Sequence, residues 1–373
     1  MNKKLISFIM AFMLVFTLCS CDNQGGEEDD ENGLKVDCRG EYSKALSGTV
    51  LNVYNWGEYI SDGEDDAIDV NAEFEKLTGI KVNYTTYESN ETMYSQIKSG
   101  GVSYDIIIPS DYMIERMINE DMLRKIDTDS LSNYDLIEKK YKGLYFDKNE
   151  EYSVPYNVGM VGIIYNKKQI GEPEKSWKAL WDPKYKDMSL NFNNPRDAFM
   201  TAQMILGQDL NTTDKKDWDA ASELLKKQKS VLQSYVMDEI YGKMETGEAS
   251  IAPYYAGDFL VMKDENPDLE FYYPNEGTNI FIDSMCIPKN VKNYDAAMMY
   301  INFMLEPDVS LANAEYIGYA SPNKAVVSNP EYCYFEDEIL YPEEPPENIQ
   351  YYHDLDTETR MYYENLWIDI KLY

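Results

Sequence analysis

The sequence holds a single histidine, His353. That excludes a multi-histidine zinc site or a HExxH helix and argues against a Ser-His-Asp triad. Positive charge is also scarce: 34 Lys and Arg stand against 67 Asp and Glu, a formal charge of −33. Such a chain repels phosphate backbones and anionic headgroups, so nucleic acid is not an expected partner. The five cysteines form no CxxC knuckle and no disulfide framework. Carboxylate-pair catalysis survives these filters, because it needs only two acids. What the chain has in excess is rings, with 33 Tyr, 12 Phe and 5 Trp. Most of those tyrosines are expected to sit half-buried at the surface, yet an acidic, ring-rich surface suits cationic or hydroxylated small molecules. The 373 residues allow about two domains with real cores.

Residues 1–20 read as a secretion signal: Lys3 and Lys4 form a basic start, and Leu5 to Leu18 is apolar but too short to span a bilayer. The run ends in Leu18-Cys19-Ser20-Cys21, which resembles the lipobox of bacterial lipoproteins. The resemblance implies cleavage before Cys21 and a diacylglycerol on its sulfur, anchoring an extracytoplasmic protein to the outer face of the cell membrane. Loss of Lys3 and Lys4 takes the charge from −33 to −35. Residues 21–48, with Gly25-Gly26 and the acidic block Glu27 to Glu31, are too polar to fold alone and read as a tether reaching about 30 Å. Cys38, Cys286 and Cys333 then remain, and Cys286 lies in an apolar stretch expected in the core.

From Thr49 onward strands and helices alternate. Leu51 to Asn55 alternates as a strand, and Asp65 to Thr78 places Ala67, Val70, Phe74 and Leu77 on one helical face before Gly79. Ile80 to Tyr84 is a second strand, Glu91 to Lys98 a helix, and Tyr104 to Ile108 a buried strand. Further strands are expected at Val161–Tyr165, Ser189–Asn193, Ala249–Tyr254, Leu269–Tyr273 and Phe281–Pro288. Helices are expected at Ala198–Leu206, Asp217–Lys227 and Ala296–Leu305. This pattern predicts an α/β fold of two lobes, each a twisted, mainly parallel sheet flanked by helices.

Ligand crevices in open α/β sheets lie beyond the carboxyl ends of the strands. Four strand ends here deliver an aromatic residue, an acid or both: Trp56-Gly57-Glu58-Tyr59, Pro109-Ser110-Asp111-Tyr112, Asn194-Pro195-Arg196-Asp197 and Tyr255-Ala256-Gly257-Asp258. Any one of them could be an ordinary polar loop.

Several longer segments carry a family resemblance. YNWGEYI at Tyr54–Ile60, FEKLTGIKVNYTTYESNETMYSQI at Phe74–Ile97, YDIIIPSDYMIERM at Tyr104–Met117, SWKALWDPKY at Ser176–Tyr185, IDSMCIPKNVKN at Ile282–Asn293 and IGYASPN at Ile317–Asn323 are similar to the spermidine/putrescine-binding proteins of bacterial ABC importers. The resemblance implies a two-lobed periplasmic-binding-protein fold of type II that closes on its ligand about a hinge, needs no cofactor or resident metal, and acts as a monomer rather than an enzyme. It places chain crossings near Tyr156–Gly159 and Asp283–Pro288. Lobe one becomes 49–157 plus 285–330 and lobe two 158–284, with 331–373, carrying apolar Leu366, Ile368 and Ile370, as a C-terminal helical segment packed on the body.

Carried over position by position, the ligand contacts implied are Trp56, Glu58, Tyr59, Ser110, Tyr112, Asn194, Asp197, Tyr255, Asp258, Phe281, Asp283, Tyr319 and Tyr352. A polyamine, putrescine or spermidine, would then be the ligand and the permease subunits the protein partners. Asp283 and then Asp258 are the foremost ammonium anchors, followed by Glu58 and Asp197; Trp56, Tyr255, Phe281 and Tyr319 would clasp the methylenes. Asp283 could instead be a hinge or cap acid, Trp56 core, and Ser110 a helix N-cap. Asn194 stands where spermidine binders carry an acid, and Tyr255 and Phe281 where they carry Trp; the acid at Asp258 is as in putrescine binders.

Three other readings compete. Tyr254-Tyr255, Tyr272-Tyr273 and Tyr351-Tyr352 could hold ferric iron as tyrosinates. Helix N-termini at strand ends could bind an anion, against which Glu58, Asp258 and Asp283 argue. A secreted glycoside hydrolase could use two of the carboxylates.

Overall fold

The computed structural model describes residues 34–64 and 67–373. The secretion signal, Cys21 with its lipobox and the acidic block to Glu31 lie outside the described residues. Among the described residues no helix is long and apolar enough to cross a membrane.

The strands in chain order are β1 (Val50–Trp56), β2 (Lys81–Tyr87), β3 (Ile106–Ile107), β4 (Leu123–Arg124), β5 (Ser153–Asn166), β6 (Ser189–Phe192), β7 (Leu232–Val236), β8 (Ile251–Tyr255), β9 (Leu269–Tyr272), β10 (Thr278–Pro288) and β11 (Ile349–Gln350). The helices are α1 (Val70–Thr78), α2 (Asn90–Ser99), α3 (Asp111–Asn119), α4 (Lys167–Ile170), α5 (Pro195–Leu206), α6 (Lys215–Gln228), α7 (Ile240–Glu245), α8 (Ala256–Glu265), α9 (Tyr294–Met304), α10 (Pro307–Ile317), α11 (Lys324–Val327) and α12 (Thr357–Leu372).

One mixed sheet runs β2-β1-β3-β10-β5-β8-β6-β7, with β4 and β11 beside β10 and β9 beside β5. Its flanks are parallel, β1 with β2 and β3, and β6 with β7 and β8. Helical crossovers return the chain in the same direction, so β-α-β order makes parallel neighbours. The middle is antiparallel: β10 opposes β3 and β5, and β5 opposes β8 and β9. β5 is buried along its whole length and changes partners midway. It pairs with β10 up to Met160 and with β8 from Val161. The strand expected at Val161–Tyr165 is thus only the second half of a longer element.

Local chemistry sets the helix ends. Asp69 is extended and its carboxylate accepts the Ala72 N–H, while Gly79 at φ 73° closes α1. That cap starts the helix at Val70, later than the expected Asp65. Helix α5 opens on Asn194-Pro195: the Asn194 side chain accepts the Asp197 N–H, and Pro195 takes the first turn, where its missing N–H costs nothing.

The stretch 34–48, expected in the tether, packs on the body instead. Val36 is buried, the Lys35 N–H donates to Glu73, and the Arg39 N–H and the Tyr42 hydroxyl both donate to Glu306. Glu306 is fully buried and needs those donors, which is why this polar segment is held. At the other end, α12 buries Tyr363, Trp367 and Ile370. Tyr363 stacks on Trp218 of α6 with ring centroids 4.7 Å apart, and Trp367 meets Tyr235 of β7. Ile368, expected to pack, is 53% exposed, because it lies on the opposite face of the helix from the Thr359-Tyr363-Trp367 stripe. Cys286 is buried, Cys38 half-buried and Cys333 exposed, none of them in a disulfide.

Candidate functional site

Strand ends and helix starts from both flanks of the sheet converge on one cleft. Trp56 ends β1, Ser110 precedes α3, Asn194 caps α5, Tyr255 ends β8, and Phe281 and Asp283 come from β10. All the expected contact residues except Glu58 line this cleft. Glu58 is exposed in the turn after β1, at φ 50°, and is not among the cleft residues. It drops out as an anchor, since a carboxylate left in water gains little from an ammonium.

Asp283 lies where the β5–β10 register shifts, paired across an isolated bridge with Ser110. Its Oδ2 accepts from the Tyr59 hydroxyl at 2.6 Å, and its buried Oδ1 has no partner. Burial pushes its carboxyl up to about 6, against the pull of the Ser110 and Tyr59 hydroxyls and with a contribution from Asp258. Ser110 stands at the N-cap position of α3 without capping it; its oxygen takes a hydrogen bond from Asn90 at 3.0 Å. Neither a cap role for Ser110 nor full satisfaction of Asp283 within the protein is therefore observed.

Asp258, in the first turn of α8, accepts from the Tyr241 hydroxyl at 2.5 Å and from the Tyr319 hydroxyl. Its carboxyl is also pushed up to about 6, first by burial, with the two tyrosine hydroxyls opposing and Asp238 adding. Asp197 is partnered by Asn194, Tyr255 and Tyr352. The Tyr112 hydroxyl donates to Glu91, whose carboxyl burial raises.

Between these acids the walls are flat. Tyr255 meets Phe281 edge-on at 5.3 Å, Phe281 lies 6.2 Å from Tyr319, and Tyr319 lies 5.3 Å from Tyr59. Trp56 is half-buried 4.7 Å from Tyr87, and its indole N–H donates to the Ile108 carbonyl. It serves core and cleft at once. Two rings rest directly on backbone: a Cβ added to Gly257 would fall 2.1 Å from Tyr319, and one added to Gly159 2.2 Å from Phe281. Gly257→Ala should therefore dislodge Tyr319 from Asp258 and weaken ligand binding by at least about tenfold, roughly 1.4 kcal/mol, in calorimetry. Unchanged affinity would mean that the ring position is immaterial.

Further cleft residues escaped the sequence reading: Tyr87, Glu88, Asn90, Glu91, Met237 and Asp238 among them. The signal was present for most. Strand β2 ends at Tyr87, three residues past the expected Tyr84, so Glu88 to Glu91 are its true strand-end residues. β7 was not expected at all, which hid Met237 and Asp238 just after it.

The sheet and its cleft are those of the periplasmic-binding-protein fold, the class of two-flanked solute receptors. The profile of bacterial extracellular solute-binding proteins matches residues 103–332. The spermidine/putrescine-binding periplasmic protein of Salmonella typhimurium is 38% identical over 304 residues, 80% of this chain and 85% of that one. That of Escherichia coli K12 is 36% identical over 326 residues, covering 86% and 91%. Among solved structures, a protein from Listeria monocytogenes described as a spermidine/putrescine ABC transporter superposes with a TM-score of 0.81 at 37% identity, covering 87% of this chain and 99% of that one. The spermidine/putrescine ABC transporter substrate-binding protein of Streptococcus pneumoniae gives 0.73 at 35% identity, covering 87% and 99%. The chain belongs to the spermidine/putrescine-binding family of bacterial extracellular solute-binding proteins.

Proposed function

We propose that this protein captures a polyamine, putrescine or spermidine, in the cleft and delivers it to the permease of an ABC importer. The observation that carries the reading is the unpartnered Oδ1 of buried Asp283 beside a ring-walled slot. A buried carboxylate oxygen without a donor is costly, and an ammonium group supplies both the charge and the donor. Asp258 is the second anchor, and Trp56, Tyr255, Phe281 and Tyr319 cover the methylenes.

The magnitudes suffice. Each ammonium–carboxylate bond contributes roughly 1.5 to 3 kcal/mol, a cation over a ring about 0.5 to 2, and each buried methylene around 0.8. Two ends and four methylenes reach about −8 kcal/mol, micromolar affinity, after association costs. Binding needs no covalent step, which fits a receptor rather than an enzyme. The ferric alternative is disfavoured by the relatives, since those at 36–38% identity are named spermidine/putrescine-binding proteins.

The lobes would be 49–157 plus 285–330 and 158–284, hinged where β5 and β10 run between the two flanks. The change of β5 partners at Met160/Val161 and the register shift at Asp283/Ser284 support that division. Lipid on Cys21 would hold the monomer on the outer face of the membrane, and Cys21→Ala should release it to the soluble fraction; retention in the membrane fraction would count against lipidation. Titration calorimetry with putrescine, cadaverine, spermidine and spermine tests the main reading. Micromolar binding of at least one is expected, and absence of heat with all four sinks it.

A further inference from the structure

Two acids of the cleft are partnered in opposite ways. Asp283, 3% exposed, keeps Oδ1 free of any partner. Asp197, 8% exposed, accepts on Oδ2 from Asn194 at 2.7 Å and from the Tyr255 hydroxyl at 2.6 Å, and on Oδ1 from the Tyr352 hydroxyl at 3.0 Å. A carboxylate offers about four lone-pair sites, so Asp197 has about one left. Its neighbour Arg196 also belongs to the cleft wall, is 4% exposed, and has an Nε–H with no acceptor. The guanidinium is held 4.5 Å from the Tyr352 ring centroid, with Nη2 on Asn211 at 3.0 Å and on the His353 carbonyl at 3.3 Å. The Asp283 corner lacks a cation; the Asp197 corner holds one already and lacks an acceptor. The ring pair Tyr255 and Phe281 joins them, since Tyr255 bonds to Asp197 and Phe281 stands two residues before Asp283 on β10.

Resting on the polyamine reading, we propose that the cleft takes a monoacylated diamine about as readily as the free diamine, with the ammonium on Asp283 and the amide carbonyl accepting from Arg196. A second ammonium at the Asp197 corner would face the guanidinium and a carboxylate whose acceptor sites are mostly taken by three donors. A ligand carboxylate could also accept from Arg196. It would, however, enter a cleft lined by six carboxylates and one guanidinium, and so be repelled. An amide is the acceptor that carries no charge.

The experiment is calorimetry of the mature chain with N-acetylputrescine, putrescine and 4-aminobutanoate. N-acetylputrescine should bind with a Kd no more than threefold above that of putrescine, and 4-aminobutanoate at least thirtyfold more weakly. Asn194→Asp, which restores charge beside Asp197, should move the ratio of the two amines at least tenfold toward putrescine. Putrescine binding with N-acetylputrescine more than threefold weaker overturns this proposal and leaves the polyamine reading standing. So does an unchanged ratio in the variant, or tight binding of 4-aminobutanoate. If neither putrescine nor N-acetylputrescine binds, this proposal falls, and the polyamine reading falls with it only when cadaverine, spermidine and spermine also give no heat.

Discussion

Asp283→Asn should weaken putrescine binding at least about 100-fold, equivalent to about 2.7 kcal/mol, in titration calorimetry at pH 7. The amide keeps the shape of the side chain, and its oxygen can still accept from the Tyr59 hydroxyl, so the wall is conserved while the charge is lost. An ammonium pressed against it is then buried without its counter-ion, a situation that typically costs 2 to 5 kcal/mol. The same substitution should raise the melting temperature of the ligand-free protein at pH 7, because it removes a carboxylate that burial destabilises. This pairing of tighter fold and weaker binding separates an anchor from a merely structural acid. Wild-type affinity would remove Asp283 from the site; lower melting temperature with lost binding would indicate collapse of the wall. Asp258→Asn should cost less, since Tyr241 and Tyr319 already donate to that carboxylate.

Acidification should produce two opposing trends. Both Asp283 and Asp258 have folded values near 6, above the usual carboxylate range, chiefly through burial. A carboxyl raised by folding contributes stability that is fully present below its unfolded value near 4 and is lost as pH rises through about 6. The ligand-free protein should therefore gain stability between pH 7 and pH 5, by about 1.4 kcal/mol for each group, since only the unit below 6 counts at 1.36 kcal/mol per unit. The ligand needs the ionised form, so affinity should fall over the same interval, by about tenfold per unit for each anchor once pH is below 6. The rise in melting temperature produced by saturating putrescine should thus shrink from pH 7 to pH 5. A shift independent of pH would show that neither carboxylate titrates in that range or that neither holds the ammonium. Asp283→Asn combined with Asp258→Asn should flatten the dependence.

Much of this site was legible in the residues because the rule that locates it is topological. Parallel strands end at one edge of a sheet, and whatever follows them faces the crevice. Trp56, Tyr59, Ser110, Tyr112, Asn194, Asp197, Tyr255 and Asp258 all end or follow strands and all reach the cleft. The rule failed where strands were misread: the three residues missing from the end of β2 hid Glu88 and Glu91, and the overlooked β7 hid Asp238. β7 is half-buried along most of its length and lacks the clean two-residue alternation that marks a strand. Glu58 failed differently. It follows β1 one residue before Tyr59, yet the turn leaves it in solvent, a consequence of backbone angles that residue type does not reveal.

The chain's own residues determined the alternation of helix and strand, the caps at Asp69 and Asn194, the acid-and-ring chemistry of the strand ends, and the unsuitability for histidine-based catalysis or nucleic acid. These follow from side-chain chemistry and from contacts a few residues apart. The tertiary structure decided which acids are free. Asp283 keeps Oδ1 without a partner while Asp197 is occupied by Asn194, Tyr255 and Tyr352, the last two from 58 and 155 residues away. Hydrogen-bond occupancy depends on groups brought together only by packing, and periodicity carries no information about them.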